Sequence, residues 1–182
     1  MRLLKAILRD GVPVLALLLS LGLSQVRAQD ESPAETKYRE DYERVIKIKD
    51  IPDSMKRAES LLALMREGPD PRVFDYAQTL FLLAVEGFNK AEKYPQVITL
   101  SEKFIKLRPQ VGETYYFYGT ALKKTNKTPE AIDALAKCSV LRNRASRQAT
   151  EFLEYIYKSQ NNGSLVGLDK VLKKAKDDLA RQ

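Results

Sequence analysis

Downstream of Lys37 the apolar residues return every three or four positions, and short polar stretches carrying Pro, Gly or Asn interrupt the runs at intervals. That spacing predicts antiparallel amphipathic helices joined by tight turns. The clearest unit is Thr114–Asn143. Tyr115, Tyr118, Gly119 and Leu122 mark one helix, Ala131, Leu135 and Cys138 the next, and Asn143 the closing turn. Gly119 and Ala131 stand where the two helices would cross, and larger side chains there would push the backbones past the usual interaxial distance of about 8–10 Å. Thr128-Pro129-Glu130 reads as the second helix start: a capping hydroxyl, a Pro where no N–H is needed, and an acid at the positive helix end.

The same frame, moved back by one period of about 34 residues, lands on Phe81, Ala84, Val85 and Phe88, then on Val97, Ser101, Phe104 and Pro109. Val85 and Val97 replace Gly119 and Ala131, and Tyr94-Pro95 marks a helix start. A more degenerate copy precedes it, with Tyr42, Val45 and Ile46 on one helix and Ala58, Leu62 and Met65 on the other. Its spacing exceeds the period, and the extra residues fall around Gly68-Pro69-Asp70-Pro71, where insertion costs little. Gly68 suits the left-handed position after a helix and Asp70-Pro71 a new start, so the next helix is expected from Pro71 to about Ala91. Beyond Asn143, Phe152, Leu153 and Ile156 predict a further first helix and Asn161-Asn162-Gly163-Ser164 a turn. Leu165, Leu168, Leu172, Ala175 and Leu179 then form one stripe on a last helix to about Ala180, with lysines and aspartates giving the polar outer face a terminal repeat requires.

These residues and their spacing resemble the tetratricopeptide repeat (TPR) family over about residues 37–180. The resemblance implies an all-α fold, a right-handed α-α superhelix (solenoid) of about four helix-turn-helix hairpins, at about 37–67, 71–109, 111–143 and 145–180. It also implies a polypeptide partner held on a concave face lined by the first helix of each hairpin.

The N-terminus has a different character. Arg2, Lys5 and Arg9 precede an apolar run from Val12 to Leu23, and Val26-Arg27-Ala28 presents small residues at the places a signal peptidase reads. Residues 1–28 are therefore expected to be a signal peptide cleaved after Ala28, and residues 29–36 a flexible leader. The run falls short of the roughly 20 apolar residues of a membrane-spanning helix. A periplasmic or secreted protein follows, with no stable membrane insertion after cleavage; an uncleaved tether stays open. Losing Arg2, Lys5, Arg9, Arg27 and Asp10 takes the formal charge from +7 to about +4. Lys and Glu alternate along the helices without a continuous phosphate-binding stripe, so nucleic acid is not an expected partner. The single Cys, Cys138, sits in a small apolar slot and is expected to be a buried, inert thiol.

With no His and one Cys, Ser-His-Asp triads, Cys-His pairs and the common His-based metal sites are excluded. No Gly-rich phosphate loop occurs. No metal or cofactor is expected. Glu40, Asp41 and Glu43, or Glu151 and Glu154, could serve hydrolysis only in a shared cleft with separated pKa values; regular charged spacing on helix surfaces points to solvation, and a non-enzyme is expected. Asn126-Lys127-Thr128 and Asn162-Gly163-Ser164 are glycan acceptors in a eukaryotic secretory pathway and turn chemistry otherwise.

Carried over from the family by frame, the partner-binding residues would be Leu82, Leu83, Glu86 and Asn89 in one repeat and Glu113, Tyr116, Thr120 and Lys123 in the next. Thr150, Glu154 and Tyr157 would follow in the last. Tyr116 and Tyr157 are the favoured contacts, as rigid aromatics with a polar tip; with the helix turned by one residue, Tyr116 would join Tyr115 and Tyr118 in the core. The family's clamp for C-terminal carboxylates is not supported, since Leu82, Glu86, Thr150 and Glu154 occupy its places. An apolar and acidic groove suggests an amphipathic or basic segment. The expected function is a non-catalytic adaptor or accessory subunit of the cell envelope. The alternatives are a self-associating structural protein without a foreign ligand and a carboxylate-dependent hydrolase.

Overall fold

The apolar stripes are realised as helices. The computed structural model describes residues 32–182; the expected signal segment, its expected cleavage point after Ala28 and the start of the expected leader lie outside the described residues. Among those residues the chain is all-helical, with no strand. The helices are α1 (Pro33–Lys49), α2 (Ser54–Arg66), α3 (Pro71–Lys90), α4 (Tyr94–Leu107), α5 (Gly112–Lys124), α6 (Thr128–Val140), α7 (Ser146–Gln160) and α8 (Leu168–Ala180). None is long and apolar enough to cross a membrane.

Local chemistry sets the boundaries. Asp53 Oδ1 accepts the Lys56 N–H at 2.7 Å to start α2, and Asp70 Oδ1 accepts the Arg72 N–H at 3.0 Å to start α3, with Pro71 in the first turn. Three starts differ from the sequence reading. Ser32 Oγ accepts the Glu35 N–H at 3.3 Å, so Pro33 to Thr36, read as leader, already belong to α1. Thr128 does not cap α6; Lys127 holds the cap position without a side-chain bond, and Thr128, already helical, accepts from Lys123 Nζ at 3.2 Å. Leu165 precedes α8 rather than lying on it, because Gly167 at φ +91 turns the chain immediately before Leu168.

The turns inside the last three hairpins share one motif. Glu92, Asn126 and Asn162 are left-handed, with φ 56, 63 and 52. Behind each, an N–H reaches back five residues to close the preceding helix: Lys93 to Phe88 at 2.9 Å, Lys127 to Leu122 at 2.9 Å and Gly163 to Lys158 at 2.8 Å. Glu92 and Asn126 stand one 34-residue period apart. Both Asn-x-Ser/Thr triplets thus supply the left-handed Asn of a turn. The first hairpin lacks the motif and is joined instead through the Asp53 cap.

Lys37–Gln182 clusters as one unit. Successive helices from α2 to α7 pack on one another. In addition α3 packs on α5 and α5 on α7, while α2 packs on α4 and α6 on α8. First helices therefore meet at α3–α5 and α5–α7, and second helices at α2–α4 and α6–α8. Phe81 and Phe104 stack at 4.8 Å between α3 and α4, beside the fully buried Val85 and Val97. At the equivalent place in the next hairpin Gly119 lies against α6: a Cβ there would stand 2.8 Å from Leu135 Cγ and 3.3 Å from the Ala131 carbonyl. Gly112 serves the same end at the start of α5, since a Cβ would clash with the Asn143 side chain. That Asn accepts the Ala145 N–H at 2.8 Å and donates to the Cys138 carbonyl at 3.0 Å, tying the α6–α7 turn.

α1 is held largely by side chains. Val45 is fully buried with Ala58, Ala77 and Phe81. Tyr42 stacks on Tyr76 at 6.1 Å, and Arg72 lies over Tyr38 at 3.9 Å. The buried Asp41 accepts from Lys37 Nζ at 2.8 Å, Arg44 Nη1 at 3.4 Å and the Asp70 N–H at 2.9 Å. Burial acts to raise its pKa, but these hydrogen bonds and the two cations outweigh it and hold the carboxyl below its ordinary value.

Two outcomes follow. Gly119→Ala should destabilise the fold by about 1–3 kcal/mol by overpacking, despite the better helix propensity of Ala; chemical denaturation checks this. For Asp41 the folded pKa is the lower one, so its stabilisation is present above about pH 4, where the unfolded chain is also ionised, and is lost as pH falls through the native value. Asp41→Asn should lower stability by about 1–2 kcal/mol at neutral pH, with the gap to the parent closing below about pH 4 in urea titrations.

Candidate functional site

Four of the expected contact residues come together. Leu82, Leu83 and Glu86 of α3 meet Glu113 of α5 around a cavity of about 310 Å³, completed by Gln78, Phe117 and Arg144. The long α3 makes this possible: α1 packs on its first half through Tyr38 and Tyr42 and reaches its second half at Lys49, and Leu83 there stays 57% exposed. The acids of this cavity are paired, Glu86 with Lys90 at 2.6 Å and Glu113 with Arg144 at 3.9 Å. Gln78 Oε1 is buried beside it without a hydrogen-bond partner.

The remaining candidates do not line this cavity. Asn89 lies further along α3, its Oδ1 buried and unpartnered. Thr120 donates to the Tyr116 carbonyl at 2.8 Å, Thr150 to the Ser146 carbonyl at 2.9 Å, and Lys123 to Thr128 Oγ1 at 3.2 Å. Tyr116 is half-buried, packs edge-on to Phe117 at 5.7 Å and leans on the apolar cluster under α7. Tyr157 also leans on that cluster, and its hydroxyl donates to the Val166 carbonyl at 3.0 Å, so its polar tip serves the α7–α8 turn. Glu154 is half-buried on α7.

The structure adds a flank of Leu83 that frame-based reading missed. Two cavities of about 370 and 320 Å³ share Leu83 with the first and Ala84 with each other; Leu80, Gly87 and Phe88 extend their walls, and Lys49, Arg57 and Lys93 stand around them. No acidic side chain lines either one. Gly87 is exposed in the last turn of α3, and a Cβ there would meet nothing within 4 Å. The signal in the sequence was a glycine in a helical run with no opposing small residue to explain it.

A larger cavity, about 590 Å³, opens between α4 and α6 over Tyr115 and Tyr118. Its charges are mostly satisfied internally. Asp133 is held by Lys137 at 2.7 Å and Lys174 at 3.1 Å, and Asp178 by Lys174 at 3.2 Å. Tyr118 donates to Glu102 at 2.9 Å. Burial, aided by Asp133 for Tyr115 and by the Glu102 bond for Tyr118, pushes both phenols up to about 12, so both stay protonated at neutral pH. Less unpaired chemistry is left here for a ligand than beside Leu83.

Elements of catalysis are sparse. Cys138 is fully buried, and burial pushes its thiol up to about 12, which leaves no thiolate at neutral pH. Asp41 is committed to Lys37, Arg44 and the Asp70 N–H, and Glu151 pairs with Arg147 at 3.1 Å on the exposed surface. No cluster of three metal-ligating side chains occurs among the described residues. The chain matches no family model, no curated protein and no solved structure.

Gly87→Ala should stabilise the protein by about 0.5–1 kcal/mol, because α3 gains helix propensity and nothing is displaced. The opposite signs expected at Gly87 and Gly119 are checked by the same denaturation experiment.

Proposed function

We propose that this chain is a tetratricopeptide-like right-handed superhelix of four hairpins, exported to the periplasm or secreted, that binds a polypeptide segment and performs no chemistry. The observation that carries this reading is the meeting of Leu82, Leu83, Glu86 and Glu113 between the neighbouring first helices α3 and α5, around an open cavity with an exposed leucine at its rim. A groove between stacked helices, with an apolar anchor and polar sides, suits an extended or helical peptide better than a reacting small molecule. The packing of first helices on first helices supports the stack. α1 lies beside α3 and leaves Leu83 57% exposed, which supports a first hairpin that extends the array.

Self-association is the second reading, and it draws on a different place. Tyr155 and Val166 are 68% and 87% exposed near the last turn, and Tyr155 stacks with Phe152 at 6.5 Å. Burial of that patch against another copy would need no foreign ligand.

Leu83→Asp separates the two. The side chain is exposed, so stability should change by less than about 0.5 kcal/mol. In a pull-down from envelope extract of the source cells, retention of a protein partner should fall at least tenfold, with the sedimenting mass unchanged. Equal retention by parent and variant, or no retention together with a closed oligomer, would contradict the proposal.

A further inference from the structure

We infer that the segment bound beside Leu83 is acidic as well as amphipathic: an apolar anchor residue enters the cavities over Leu80, Ala84 and Gly87, and flanking carboxylates meet Lys49, Arg57 and Lys93. The inference rests on the polypeptide-binding reading and names the partner's chemistry. It reverses the charge expected from the groove's acids, for a physical reason. Glu86 and Glu113 are already paired by Lys90 and Arg144. The three cations have no acidic partner among the described residues. Arg57 donates to the Ile51 carbonyl at 2.9 Å and to Ser54 Oγ at 3.2 Å, and Lys93 lies 5.9 Å from the Phe88 ring. Unpaired cations around two apolar cavities give the surface its complementarity to carboxylates, and a desolvated apolar anchor would strengthen those pairs.

Gly87 is the independent observation. No neighbour among the described residues needs the missing Cβ, since nothing there would stand within 4 Å of it. The bare backbone at the wall of the cavity lets another chain lie directly on α3, between Leu83 and Lys93. A side chain at this position would occupy the cavity without disturbing the fold.

The test is selection of a phage-displayed random peptide library, about 12 residues long or three helical turns, on the purified protein, followed by affinity measurement with the synthesised peptides. Enriched sequences should combine a large apolar residue with Asp or Glu. Gly87→Leu should weaken them at least tenfold, with helicity unchanged. Lys49→Glu with Lys93→Glu, both at exposed positions, should weaken acidic peptides and strengthen the same peptides carrying Lys in place of Glu. Acidic peptides that bind Gly87→Leu as tightly as the parent would overturn the inference. So would enrichment of basic peptides sensitive to Leu83→Asp and indifferent to Gly87→Leu, while leaving the polypeptide-binding reading in place. No enrichment over a protein-free surface would overturn both.

Discussion

The α5–α6 crossing depends on the missing Cβ of Gly119. Leu135 and the Ala131 carbonyl occupy the space it leaves, and through them α5 and α6 approach closely enough to present one shared surface to α4 and α7. A helical hairpin buries only one side of each helix internally, so the other apolar side must be covered by the next hairpin or left in water. The fully buried Leu135 and Leu153 lie in the apolar cluster between α5, α6, α7 and α8, so a shift at the crossing propagates to both neighbours. The earlier hairpin solves the crossing with Val85 and Val97 and compensates with the stacked pair Phe81 and Phe104.

The same arrangement explains why the candidate site lies where it does. First helices that meet side by side leave shallow furrows between them, and α3, the longest helix described, keeps Leu83 exposed although α1 reaches that stretch at Lys49. Leu83 is shared by three cavities, one with internally paired acids and two beside cations without an acidic partner among the described residues. The larger cavity between α4 and α6 has more volume and less unpaired chemistry. Volume alone would have directed attention to that face instead.

Much of the fold was legible in the sequence because periodicity and turn chemistry agree. Gly68 takes the left-handed position expected of it, and α3 runs from Pro71 nearly to Ala91. The two Asn-x-Ser/Thr triplets sit in turns. Other features could not be read from one chain in one dimension. Thr128 fits a capping hydroxyl, yet the helix started one residue earlier than a cap there would require. Tyr157 has the right frame for a groove contact, but its hydroxyl is taken by the Val166 carbonyl, a partner defined only once the α7–α8 turn is folded. The neighbours of the groove's acids could not be read either, because Arg144 comes from the following turn and the cations beside Leu83 come from the end of α1, from α2 and from the start of α4. Frame arguments within one helix cannot see such neighbours.

The most direct measurement is a photo-crosslink from position 87 in living cells, with a photoreactive amino acid in place of Gly87 and a second protein carrying it at the exposed Tyr155 as the control. The account predicts a crosslink from position 87 to a different polypeptide, mapping to a segment that pairs an apolar residue with acids. Crosslinks from position 155 to a second copy of this chain, with none from position 87 to any polypeptide, would contradict it.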